Sequence, residues 1–187
     1  MRYVRRFRMA FEFADRHLPD PRLPEGFHFV PWQPEHLGRH AAAKYASFHG
    51  EIDSRVFPCL ADENECLLLM EEIANQKSFL PAATWLVTQI TESGPVDCGT
   101  IQGLANSTDA GSVQNVGIIK MFRGQGVGRA LVLKLLHGFR DHGVRRVYLE
   151  ATAENVPAVE LYRSIGFRLI RTTFKQIPEE AAANWPE

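Results

Sequence analysis

Arg123-Gly124-Gln125-Gly126-Val127-Gly128 packs three glycines and an arginine into six residues. Two strongly patterned segments flank it. Residues 112–121, SVQNVGIIKM, read as a strand, and residues 127–142 set Val127, Leu131, Leu135 and Phe139 on one helical stripe. A strand that turns through glycines into a helix can bring its backbone close to a ligand, because no Cβ intervenes. The free N–H groups of the turn and of the first helical turn then converge, and the helix dipole strengthens their pull on an anion. Arg123 and Arg129 add positive charge on either side. A pyrophosphate is the natural occupant. The spacing excludes two other phosphate binders. The glycines stand two apart, beyond position 120, without the G-x-G-x-x-G order or the acidic ribose reader of a dinucleotide site, and no Gly-Lys-Ser/Thr closes a P-loop. A ligand-free β-α turn is the bland alternative, and it needs fewer glycines.

Outward from the turn, RRVYLEAT at 145–152 reads as a strand, residues 155–166 as a helix ended by Gly166, and FRLIRTTFKQI at 167–177 as a last strand. Asn155 is placed to N-cap that helix, and Tyr162 taken alone is a packing residue. Upstream, residues 84–90 and 96–106 read as a hairpin around the turn at 92–94. Helices are expected over 35–48 and 62–76, with an irregular segment at 53–60 around Pro58. FHFVPW at 27–32 reads as a short strand and the proline-rich 17–26 as a connection. Residues 2–13 alternate arginine with apolar side chains, as an amphipathic strand does. Its arginines at 2, 5, 6 and 8 read as a solvated face, with an anion-binding patch as the alternative. The order of elements predicts an α/β fold of mixed α+β character: a mixed central sheet with helices on both faces.

The chain has 187 residues, enough for one buried core and short for two, so a single domain is expected. A loose tail is expected over 178–187, in which Trp185 could dock. Lys plus Arg total 21 and Asp plus Glu 22, for a formal charge of −1, which offers no global attraction to nucleic acid or anionic membrane. Three cysteines, with no C-x-x-C pair, argue against a disulfide framework, and no metal site is expected. The N-terminal stretch lacks the apolar run of a signal peptide, and no segment approaches 18 uncharged apolar residues. A soluble, cytoplasmic protein is expected.

The glycine turn, the strand before it and the helix after it together resemble the GCN5-related N-acetyltransferase (GNAT) superfamily. The resembling residues are Gln114-Asn115-Val116-Gly117-Ile118, Arg123 to Gly128, and Asn155 through Tyr162 to Gly166-Phe167. The family pattern of Arg or Gln, two residues, Gly, one residue, Gly or Ala falls on Arg123, Gly126 and Gly128. The match covers 112–167, and a looser fit in element order covers 27–106. The resemblance implies an acyl-CoA N-acyltransferase fold and an enzyme that uses acetyl-coenzyme A. It implies that the strands 113–118 and 146–151 run parallel and splay, with the pantetheine arm against backbone at Val116, Gly117 and Ile118. The pyrophosphate would rest on backbone of Gly124, Gln125, Gly126, Val127, Gly128 and Arg129. Asn155 would touch the cofactor arm or line the cleft beside its capping role. Tyr162 would protonate the leaving sulfur, and the Ile118 N–H would stabilise the oxyanion of a tetrahedral intermediate as a primary amine attacks.

Some relatives carry a carboxylate base where this sequence has Gln114, which cannot take a proton. Gln114 would position a water or the substrate instead, and Glu71, Glu72, His49, Glu51 and Glu150 are other proton acceptors. Glu51, Asp53, Asp62, Glu63 and Glu65 are candidates for an acidic cleft facing a cationic acceptor, or for an ordinary solvated helix entry. The acceptor class is open: a small-molecule amine or a peptide amine. The alternative from another class is a non-catalytic coenzyme A-binding regulatory module. The family ends in two strands after the Gly-Phe pair, whereas here one remains and an extra strand stands in front. That strand is expected to cover the sheet edge near the C-terminal strand, in its own chain or in a homodimeric partner.

Overall fold

The computed structural model describes residues 2–14, 17–107 and 109–177; the expected tail over 178–187, with Trp185, lies outside the described residues. One mixed sheet contains β1 (Arg2–Glu12), β2 (Phe27–Pro31), β3 (Trp85–Thr91), β4 (Gly94–Ala105), β5 (Ala110–Ile118), β6 (Arg146–Thr152) and β7 (Arg168–Ile177). Their order in space is β2-β3-β4-β5-β6-β1-β7. The helices are α1 (Leu37–Phe48), α2 (Ile52–Val56), α3 (Glu63–Ala74), α4 (Val127–Asp141) and α5 (Val156–Ile165). Helix α1 packs on one face of the sheet and α4 on the other. Among the described residues no helix is long and apolar enough to cross a membrane.

Each helix flanking the glycine turn has clear chemical ends. Val127, Leu131, Leu135 and Phe139 of α4 are all buried in the main core. Gly143, at φ +81°, ends α4, and the Val144 N–H reaches back to the Phe139 carbonyl at 3.0 Å. Asn155 caps α5 by accepting from the Ala158 N–H at 3.4 Å, and Gly166 closes it at φ +119°. The segment read as irregular at 53–60 contains the one-turn helix α2 before Pro58 starts a 3-10 turn. A single turn is too short to show a helical period.

β5 and β6 pair in parallel over three residues only, Ala110↔Arg146 to Ser112↔Tyr148, and then part. The cause lies on the other side of β5. Ile101 pairs with Val116 and Gly103 with Val113, so three steps on β5 oppose two on β4. The extra residue falls at Gln114-Asn115, and such a bulge bends the strand that carries it and increases its local twist. Gly117 lets α1 close against the bent strand, since a Cβ there would stand 2.7 Å from the Ser47 Cβ.

The N-terminal strand lies beside the C-terminal strand of its own chain, but inside the sheet rather than on its edge. β1 pairs antiparallel with β6 (Arg6↔Thr152, Arg8↔Glu150) and with β7 (Arg6↔Thr173, Arg8↔Arg171). The edge strand is β7. It exposes Leu169, Ile170 and Phe174 among Arg168, Arg171 and Lys175, charges of the kind that discourage edge pairing. β7 follows α5 directly and lands one strand beyond β6, and β1 fills the slot between them. The arginine face of β1 is also not uniformly solvated. Met9 and Phe11 enter the main core, contributing about 2 kcal/mol each by burial, while Val4 joins Val56 and Ile177 on the opposite side and Arg6 is 8% exposed.

Candidate active site

Where β5 and β6 part, a cleft of about 620 Å³ opens between the end of β5, the glycine turn and α5. Val116, Gly117 and Ile118 form one wall, and Asn155, Ala158 and Tyr162 the other. Gly124 and Gly126 form the floor at φ +75° and +85°, backbone that L side chains avoid. A Cβ on either would stand in open space, with no atom of the described residues within 4 Å. Gly126 caps α4 without a side chain, so the helix N-terminus faces the cleft unblocked. Gly128 and Arg129 complete that end, with the Arg129 guanidinium 3.0 Å from the Ser164 hydroxyl. Among the described residues no side chain crowds this floor, and an open backbone cradle at a helix N-terminus fits a diphosphate.

Other residues of the turn hold the frame. Arg123 lines the cleft but donates to the Ile118 carbonyl (2.8 Å), the Ser47 carbonyl (2.9 Å) and Glu51 (3.0 Å). Its guanidinium ties the turn to β5 and to the end of α1. The Gln125 amide donates to the Met121 carbonyl, and the Val127 side chain is in the core, which leaves their backbone for a ligand.

At the inner end of the cleft a narrow throat joins it to a second pocket. Asp53 organises the throat. Its carboxylate accepts from the Thr152 hydroxyl, from the Asn155 amide at 2.9 Å and from the Arg6 guanidinium at 3.4 Å. Arg6 also donates to the Thr152 hydroxyl at 2.7 Å, and its buried Nε has no partner among the described residues. Burial pulls the Arg6 pKa down, against Asp53, Glu150 and Tyr162, which raise it. Tyr162 is 7% exposed and packs edge-on against Phe167. Burial, with the Asp53 charge behind it, pushes the phenol's pKa well above its ordinary value. Among the described residues the Tyr162 hydroxyl has no hydrogen-bond partner.

The second pocket, about 430 Å³, lies on the α2 side of the sheet. It shares Arg6, Phe57, Leu60, Gln114, Asn115 and Glu150 with the throat. Gln114 thus faces this pocket, its amide 3.3 Å from the Ser112 hydroxyl. Of the proton acceptors considered, Glu150 alone lines the throat; Glu51 pairs with Arg123, and His49, Glu71 and Glu72 lie outside all three spaces. The acidic residues do not assemble into an acidic cleft. Asp53 is engaged as above, Asp62 caps α3 through the Glu65 N–H at 2.9 Å, and Glu63 and Glu65 are exposed. No local pattern marks Thr152, and Arg6 reads in sequence as part of a solvated face. Their partnership spans 146 positions, beyond any local pattern.

The sequence profile of the Acetyltransferase (GNAT) family matches residues 40–167, more than half of the chain. The chain belongs to this family. Mycothiol acetyltransferase of Saccharomonospora viridis is 28% identical over 173 residues, covering 88% of this chain and 53% of that protein. Mycothiol acetyltransferase of Thermobifida fusca is 42% identical over 80 residues, covering 42% of this chain and 25% of that protein. The chain therefore spans about half the length, or less, of these relatives. A GCN5-related N-acetyltransferase from Sphaerobacter thermophilus superposes with a TM-score of 0.67 at 25% identity, covering 93% of this chain and 51% of that one. The ribosomal-protein-S18-alanine N-acetyltransferase of Escherichia coli shares the fold, with a TM-score of 0.59 at 17% identity over 78% of this chain and 79% of that one. The parting strands, the glycine turn and the tyrosine on α5 are thus set on a GNAT fold.

Proposed function

We propose that this GNAT chain transfers an acetyl group from acetyl-coenzyme A directly to a primary amine. The observation that carries the reading is the hydroxyl of the largely buried Tyr162, which among the described residues has no hydrogen-bond partner, where the glycine-floored cleft meets the throat. The open backbone at Gly124 and Gly126 supports a diphosphate on the cleft floor, and Val116, Gly117 and Ile118 offer an extended wall for the pantetheine arm. Coenzyme A supplies the activated thioester. The chain's own residues do the rest. Glu150 takes a proton from the amine as it enters from the second pocket. The Ile118 N–H faces the negative charge that develops on the acyl oxygen. The C–N bond forms first, giving a tetrahedral intermediate, and as that intermediate collapses the C–S bond breaks and Tyr162 gives its proton to the departing sulfur. One proton leaves the amine and one reaches the thiol. The raised pKa keeps Tyr162 protonated through the alkaline range where an ordinary phenol ionises, so its donor role persists past pH 10.

The test is free-thiol release from acetyl-coenzyme A across a panel of small amines and peptides. Acceptor-dependent release is expected. Tyr162→Phe should lower kcat by about 10²-fold or more with little change in cofactor affinity. Unchanged turnover from pH 7 to 10 would remove the general-acid role. Cofactor binding without turnover on any acceptor would favour a non-catalytic coenzyme A-binding module.

A further inference from the structure

The second pocket has more positive charge than an amine needs. Arg6 and Arg8 line it, both from β1, against one carboxylate, Glu150. Arg6 is neutralised by Asp53. Arg8 is not: among the described residues it has no ion pair, and its guanidinium lies 4.9 Å from the centre of the Tyr148 ring. That contact holds the guanidinium beside the ring, and among the described residues no protein acceptor takes its N–H donors. Arg171, across the β1–β7 pair from Arg8, also lacks an ion pair among the described residues and adds charge of the same sign. Glu150 stands opposite Arg8 across the β1–β6 pair. Cross-strand neighbours hold their Cβ atoms about 5 Å apart, so a carboxylate and a guanidinium are offered side by side. Glu150 belongs to both pocket and throat, whereas Arg8 belongs to the pocket alone.

Resting on the transferase reading, we propose that the acceptor carries an anionic group, a carboxylate or a phosphate, a few bonds from its reactive amine. Arg8 binds that group, with the charge of Arg171 beside it. The amine is turned toward Glu150 and the throat. Arg8 is the specificity-determining residue of the acceptor pocket, and it reaches the site because β1 is threaded inside the sheet.

Matched acceptor pairs test this: amino acids against their amides, and amino-sugar phosphates against the parent amino sugars. The expected result is a kcat/KM at least 10-fold higher for the anionic member of one series, and the series that shows it separates carboxylate from phosphate. Arg8→Gln should bring that ratio to within about twofold of one, chiefly through KM, and Arg171→Gln should lower it less. Arg8 is exposed, so the variant is expected to fold, with acetyl-coenzyme A affinity as the check. Turnover of amines with no anionic preference, or a preference that survives Arg8→Gln, overturns the proposal. If no acceptor is turned over, the transferase reading fails by itself. The anion site is then judged by ³¹P line broadening of inorganic phosphate on protein saturated with coenzyme A. Broadening that Arg8→Gln abolishes sustains the site, and its absence in the unsubstituted protein ends it.

Discussion

Lys44 is fully buried on the side of α1 that faces α3, where among the described residues its ammonium meets only the Met70 sulfur, at 3.8 Å. Burial pulls its pKa down to about 8. The unfolded chain holds this proton to the ordinary lysine value and the folded chain releases it earlier, so stability rises with pH between the two values. Lys44→Met removes the cost of the buried charge. It should raise the unfolding free energy at pH 7 by on the order of 3 kcal/mol, seen as a higher melting temperature, and the gain should shrink as pH rises from about 8 towards the ordinary lysine value. Asp53 acts in the opposite sense, since it accepts from Arg6, Thr152 and Asn155 together. Asp53→Ala leaves a buried guanidinium without its counter-charge and should cost about 3 kcal/mol, seen as a lower urea midpoint at constant slope. A variant as stable as the parent would show that water replaces the carboxylate.

The junction of β5 and α4 is where element geometry and ligand geometry coincide. Gly126→Val places a β-branched residue at φ +85° and projects its side chain into the cleft. Coenzyme A affinity should fall at least 10-fold while circular dichroism shows the helices intact; unchanged affinity would take the pyrophosphate off the turn. This junction was readable from sequence because glycines, an apolar stripe and a stop residue all lie within thirty positions. Asn155 and Tyr162 were readable for the same reason, as parts of one amphipathic helix with a clear cap and end. The bulge at Gln114-Asn115 was not, since it is defined only by counting against β4. Helix α2 has too few residues to show a period, yet it carries Asp53 into the throat. Arg6 and Arg5 are indistinguishable in the local pattern. Only the pairing of β1 with β6 sends one to Asp53 and Thr152 and the other toward Glu154.

Across the whole molecule, β1 joins two parts of the sheet that would otherwise have no common border. Removing residues 1–13 strips β6 of a neighbour and detaches β7, and it takes Arg6 and Arg8 from the pockets. The truncated chain should lose its cooperative thermal transition and bind hydrophobic dye, whereas a sharp transition would show that the remaining strands close the gap themselves. The threading also sets a timetable. β1 pairs with β6 and β7 alone, so it must wait for β2 to β5 and the helices between to be synthesised before either of its partners exists. Contacts of such long sequence separation slow folding and leave apolar strand surface uncovered meanwhile. The pocket lined by Arg6 and Arg8 therefore cannot close until β6 and β7 have joined β1.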